Sequence, residues 1–138
     1  MISKSEKETC DIAKILSKKI ENGGLICLFG DLGTGKTTLT KAIAEHLGIQ
    51  RDLIKSPTYN YIRKYELKER DFFHLDLYRL EEMNEIIEME IEEILNGDNA
   101  VVIEWADRII KDLPETRIDV TLSYIDSNTR KIEIDDKI

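Results

Sequence analysis

The chain has 138 residues, 41% of them hydrophobic, enough for one compact domain with a buried core and too few for an obvious second. Its formal charge of −8, from 28 acidic against 20 basic side chains, repels polyphosphate backbones and argues against autonomous binding of tRNA or DNA. No apolar run approaches the roughly 18 residues of a membrane span, and Met1-Ile2-Ser3-Lys4-Ser5-Glu6 lacks the apolar middle of a secretion signal, so a cytoplasmic protein is expected.

Ser5 with Glu8 makes a capping-box signature, and it opens a helix that carries Ile12, Ile15, Leu16 and Ile20 inward and stops at Asn22-Gly23-Gly24. The apolar run Leu25-Ile26-Cys27-Leu28-Phe29 reads as a buried strand. It runs directly into Gly30-Asp31-Leu32-Gly33-Thr34-Gly35-Lys36-Thr37, which has the G-x-x-x-x-G-K-[ST] spacing of a phosphate-binding loop. Glycines there let backbone N–H groups converge on phosphate oxygens, and the helix that follows directs the positive end of its dipole at them. Lys36 then neutralises β/γ charge and Thr37 ligates Mg²⁺. Leu39, Ala42, Ile43 and Leu47 recur at helical spacing over Thr37 to Leu47, with Gly48 as the stop. Strand, loop and helix in this order set the chemistry as nucleoside triphosphate binding. Cys27 inside the strand and Cys10 on the first helix read as packing residues, neither a disulfide frame nor a metal site.

Ser56-Pro57-Thr58 opens an extended segment over Tyr59 to Leu67, which Lys68-Glu69-Arg70-Asp71 turns into Phe72 to Leu77 as an antiparallel pair. Thr58 stands where a switch threonine senses a γ-phosphate through Mg²⁺, and equally where a plain turn hydroxyl sits. An acidic helix follows. Glu81, Glu82, Glu85, Glu88, Glu90, Glu92 and Glu93 have no Lys or Arg among them, a solvated face before it is a docking surface for a basic partner. Met83, Ile86, Ile87, Ile91, Ile94 and Leu95 are expected on its other side, closed by Asn96-Gly97. Ala100 to Ile103 is a short unbroken apolar run, as in a strand covered on both faces, and it ends in Glu104-Trp105. Arg117 to Tyr124 alternates strictly, Ile125-Asp126-Ser127-Asn128 supplies a turn, and Lys131 to Asp135 alternates again, a hairpin. Interleaved helices and strands place residues 1–138 in one α/β domain: a P-loop NTPase-like three-layer fold with a mostly parallel central sheet and antiparallel hairpin additions.

A phosphate loop needs an acid to orient its Mg²⁺, normally at the carboxyl end of a neighbouring strand. Glu104 ends a clean apolar run; Asp76 ends Phe72-Phe73-His74-Leu75, where His74 interrupts the pattern. Either acid can hold the metal, leaving the other to position the attacking water. His74 reads as a residue packed within its strand before it is a general base, since no nucleophile motif accompanies it, and Trp105, the sole tryptophan, either covers a ligand plane or packs. Arg79, Arg108 and Arg130 are available cations, and their spacing does not say which approaches phosphate.

Taken together, Gly30 to Thr38, Lys55-Ser56-Pro57-Thr58-Tyr59, His74-Leu75-Asp76-Leu77-Tyr78-Arg79-Leu80 and Ile103-Glu104-Trp105 resemble the TsaE (YjeE) family, four blocks in order that span most of the chain. The resemblance implies an ATPase required to make threonylcarbamoyladenosine in tRNAs, with ATP and Mg²⁺ at its site and TsaD and TsaB as partners. It places the Mg²⁺ ligands on Thr37 and Glu104, the catalytic or water-orienting aspartate on Asp76, and the phosphate loop on Gly33, Thr34, Gly35, Lys36, Thr37 and Thr38. Trp105 matches an active-site tryptophan, Arg130 an arginine of the last hairpin near the nucleotide base, and Glu6 a polar residue before the first helix. The family's D-P-E-E-L-E-x-x-G block departs here to Glu82-Met83-Asn84-Glu85-Ile86-Ile87-Glu88-Met89-Glu90, without its proline and glycine. Two other readings use the same loop: a small-molecule kinase, and an ATP-sensing binding module without turnover. A GTPase is disfavoured because no N-K-x-D block is present.

Overall fold

Among the described residues, 1–55, 61–78, 80 and 83–138, seven strands join in one mixed sheet. In chain order the computed structural model has β1 (Ile2–Ser3), α1 (Glu6–Ile20), β2 (Gly24–Phe29), α2 (Lys36–His46), β3 (Ile62–Glu66), β4 (Asp71–Asp76), α3 (Glu85–Asn96), β5 (Ala100–Glu104), β6 (Ile118–Asp126) and β7 (Thr129–Asp136). The strand order is β1-β7-β6-β2-β5-β4-β3. The inner pairs β6·β2, β2·β5 and β5·β4 are parallel, and β7·β6, β1·β7 and β3·β4 are antiparallel. The expected parallel centre with antiparallel additions is thus present. Thr58 and Arg79 lie outside the described residues.

The layers follow from side-chain alternation along the strands. Ile26 and Leu28 of β2 join Val102, Val120 and the apolar stripe of α1 and α2 in one core. Leu25 and Cys27 face the opposite way, into a second core with Ile103, Ile91 and Ile94. A central strand buried on both faces needs a nearly unbroken apolar run, and all five residues of β5 are buried. The Ser5 hydroxyl caps α1 by accepting from the Glu8 backbone N–H at 3.2 Å, and Asn84 Oδ1 caps α3 by accepting from the Ile87 N–H at 2.9 Å.

Three expectations need correction. Ile15 is 47% exposed, because the inward stripe of α1 runs through Ile12, Ala13, Leu16 and Ile20 and leaves Ile15 on its flank. Ile86 is 78% exposed, since the inward stripe of α3 runs through Ile87, Ile91 and Ile94 and leaves Ile86 on its flank. Glu6, expected before the first helix, is the first residue of α1. The short β1 and the 3₁₀ segments Arg51–Leu53 and Ala106–Asp112 have too few residues to show a period. No helix among the described residues is long and apolar enough to cross a membrane.

Burial pushes the Cys27 thiol up to about 12, with the nearby Asp119 carboxylate adding to the shift. Cys10 is only half-buried. A thiol reagent at pH 8 is therefore expected to label Cys10 in the native protein and Cys27 only after denaturation, as mass spectrometry of the labelled chain will show.

Candidate functional site

The strand β2 ends against β6 so closely that a Cβ on Gly30 would meet Leu122 O at 2.5 Å and Thr34 Oγ1 at 2.8 Å. Only glycine fits there. The loop then turns back: Thr34 Oγ1 donates to Asp31 O at 2.8 Å, and the Tyr124 hydroxyl donates to Gly33 O from the β6 side. Gly35, with φ +102°, precedes the first residue of α2, and no described side chain caps that helix. The first amides of α2 thus remain available to an anion, at the positive end of the helix dipole.

Lys36, 4% exposed, turns its ammonium back onto the loop and donates to Gly30 O at 2.6 Å and Asp31 O at 2.8 Å. Its Nζ also lies 4.3 Å from the centre of the Trp105 ring, a cation–π contact. Burial lowers the Lys36 pKa, opposed by the carboxylates of Glu104, Asp76, Asp31 and Asp107. Trp105 has φ +58° and ψ 41°, the left-handed region that a bulky residue rarely occupies. That strained backbone lays its ring beside Lys36 and 4.9 Å from the Tyr78 ring.

The acids arrive from the neighbouring strands. Asp76 and Glu104 end β4 and β5 and are register partners across the parallel pair, while Glu104 is opposite Leu28 of β2. This is the carboxyl edge of a parallel sheet, where α/β proteins place ligands. Glu104, 2% exposed, accepts from Thr37 Oγ1 at Oε1, 2.9 Å, and faces His74 Nε2 with Oε2, 2.5 Å. Half-buried Asp76 accepts from the Tyr78 N–H at 3.1 Å. Desolvation holds the Asp76 carboxyl above the ordinary aspartate value, only partly offset by that backbone hydrogen bond, and the Glu104 charge adds to the rise.

Two clefts flank the start of α2 and share Gly35 and Thr38. One, of about 250 Å³, is lined by Gly33, Lys36, Thr37, Asp76, Glu104 and Trp105 among others. The other, of about 310 Å³, has Ser3, Glu6, Thr34, Asn128 and Arg130 in its wall. It exists because β1 pairs with β7, setting Ser3 opposite Arg130. The structure thus brings most of the described candidates to the phosphate loop: Lys36, Thr37, Asp76, Glu104 and Trp105 on one side, Glu6 and Arg130 on the other, with Gly33, Thr34, Gly35 and Thr38 between, while Arg108 lines neither cleft.

Among the candidate arginines, Arg108 is occupied, donating to Leu80 O at 3.0 Å and Tyr78 O at 3.1 Å to hold the segment after β4. Arg130 stands over the Tyr124 ring at 4.4 Å, within the second cleft. Sequence reasoning missed Tyr124, His74 as a partner of Glu104, and the αL backbone of Trp105. A serviceable signal existed for His74 alone: an imidazole within an otherwise apolar strand.

The residues present fit Mg²⁺. The Thr37 hydroxyl and the Asp76 and Glu104 carboxylates, which line one cleft, are hard oxygen donors. Mg²⁺ is held by one or two such carboxylates and completed by waters and phosphate oxygens.

A family model, threonylcarbamoyl adenosine biosynthesis protein TsaE, matches residues 3–132. The tRNA threonylcarbamoyladenosine biosynthesis protein TsaE of Rickettsia felis is 37% identical over 134 residues, covering 97% of this chain and 78% of the relative. The protein of the same name in Bacillus subtilis is 36% identical over 126 residues, 91% of this chain and 78% of the relative. The crystal structure of Bacillus subtilis YdiB superposes with a TM-score of 0.81 at 30% identity, covering all of this chain (100%) and 84% of that one. A match of this length, with the loop and both acids in one cleft, makes the chain a member of the TsaE family.

Proposed function

We propose that this chain is a cytoplasmic P-loop ATPase that binds and hydrolyses Mg-ATP in support of TsaD and TsaB during tRNA N6-threonylcarbamoyladenosine synthesis. The observation that carries the reading is the placement of Lys36 and the uncapped start of α2 opposite Asp76 and Glu104 in one cleft. The names of the relatives supply the pathway.

In this reading Lys36 exchanges its hydrogen bonds to Gly30 O and Asp31 O for β- and γ-phosphate oxygens, and the amides from Gly33 to Thr38 cradle the same groups. Thr37 and Glu104 hold Mg²⁺, which when bound neutralises phosphate charge. Asp76 orients the attacking water and takes its proton, a task that its raised pKa favours. Trp105 confines the Lys36 ammonium with its ring. Glu6 and Arg130 line the cleft that receives the base and sugar.

Phosphate release is expected to be slow for the chain alone and faster with TsaD and TsaB, in a steady-state assay. Release of inorganic phosphate without a phosphorylated acceptor separates an ATPase from a kinase. ATP binding with no release in the complex marks a sensing module instead. Glu104→Ala is expected to weaken Mg²⁺-dependent nucleotide binding by about tenfold or more, while binding in excess EDTA changes little; titration of the variant over Mg²⁺ concentration checks this.

A further inference from the structure

His74 is the buried polar side chain at this site with no part in the chemistry above. It is 1% exposed, and its strand neighbour Phe72 and its register partner Val102 on β5 are both fully buried. An imidazole among such residues costs stability unless its nitrogen is hydrogen-bonded. The partner is Glu104, at 2.5 Å from His74 Nε2 to Glu104 Oε2. The two oxygens of Glu104 therefore face different groups, Oε2 the imidazole and Oε1 the Thr37 hydroxyl. A glutamate has three rotatable side-chain bonds, and pinning one oxygen from an adjacent strand fixes where the other points.

We propose that His74 is a positioning residue. Its Nε2–H holds Glu104 Oε2, so that Oε1 is the oxygen presented, together with Thr37, toward the divalent cation that accompanies the nucleotide. The proposal rests on the reading of Glu104 as a metal-side carboxylate. A ligating carboxylate that is itself hydrogen-bonded binds its metal better, and losing such an outer partner costs about 10- to 100-fold in metal affinity. Asp76 follows His74 by two residues on β4 and is the register partner of Glu104, so one strand supplies both the anchor and the second acid.

The test uses Mn²⁺ as probe, counted by the electron paramagnetic resonance signal of the free ion in the presence of ADP, with ADP affinity in EDTA measured separately by Trp105 fluorescence. His74→Leu keeps volume and removes the donor; His74→Gln returns an N–H near the position of Nε2. Expected are a Mn²⁺ affinity about tenfold weaker or more for His74→Leu, recovery in His74→Gln, and ADP affinity in EDTA unchanged in both. If His74→Leu does not fold, His74→Asn, whose amide stops short of the carboxylate, takes its place in the comparison with His74→Gln. Wild-type Mn²⁺ affinity in the folded donor-free variant, even with a lowered melting temperature, overturns the proposal and leaves His74 a packing residue. Glu104→Gln separates the two failures. If it loses Mn²⁺ affinity while His74→Leu does not, the positioning role alone falls; if it binds Mn²⁺ like wild type, the metal-side reading of Glu104 falls and takes the positioning role with it.

Discussion

Lys36→Ala is expected to weaken ATP binding by about 100-fold or more, because it removes a cation that makes more than one charge-assisted hydrogen bond, each worth roughly 1.5–3 kcal/mol. The geometry makes this the largest single loss at the site. Lys36 is almost fully buried, its ammonium already lies at the loop, and the Trp105 ring confines it there. No other described lysine lines either cleft at the loop apart from Lys4, which stands on the far side near Ser3. Calorimetric titration of the folded variant with Mg-ATP measures the loss. The same substitution also removes the positive charge that steadies Asp76 and Glu104, so the Asp76 pKa is expected to rise further.

Asp76→Asn is expected to leave Mg-ATP affinity within a few-fold of wild type while lowering hydrolysis by about 10²- to 10⁴-fold, the usual worth of a positioned general base. Asparagine keeps an oxygen for the Tyr78 N–H, which holds the carboxylate in place at 3.1 Å, so geometry survives and basicity does not. Single-turnover phosphate release with saturating Mg-ATP separates the two quantities. Stability should move the opposite way. The pKa of Asp76 is raised in the folded state, so its charged form is disfavoured by folding and costs stability above that pKa. The cost fades as pH falls through the raised pKa toward the ordinary value of 3.8. Asp76→Asn is therefore expected to melt a few degrees higher than wild type at neutral pH, with the gap closing in acid. Wild-type turnover in this variant removes Asp76 from the chemistry.

Local chemistry explains what could be read from the residues alone. The loop was legible because Gly30, Gly35 and Lys36 each answer a different physical demand at fixed spacing: a close approach to β6, a left-handed turn into α2, and a buried ammonium. β5 was legible because a strand buried on both faces is apolar at every position until Glu104. The placement of Asp76 and Glu104 was less so, since both end strands and only the register sets them side by side, with Glu104 on the strand next to β2. The second cleft was illegible for a related reason. It depends on Ser3 pairing with Arg130, residues far apart in the chain, through a strand two residues long. Ile86 misled because it adjoins Ile87, and of two consecutive helix residues only one can join the inward stripe with Ile91 and Ile94. The αL conformation of Trp105 has no sequence signal, as tryptophan is among the residues least suited to it.

Calorimetric titration of the wild-type chain with ATP, in Mg²⁺ and again in EDTA, tests the central claim most directly, since the claim is that the loop amides and Lys36 hold a triphosphate whose metal is steadied from β5. Saturable binding at one site per chain, tighter in Mg²⁺ and lost in Lys36→Ala, is the result the geometry predicts. Absence of any binding heat for the folded chain, with TsaD and TsaB added as well as without them, would contradict it.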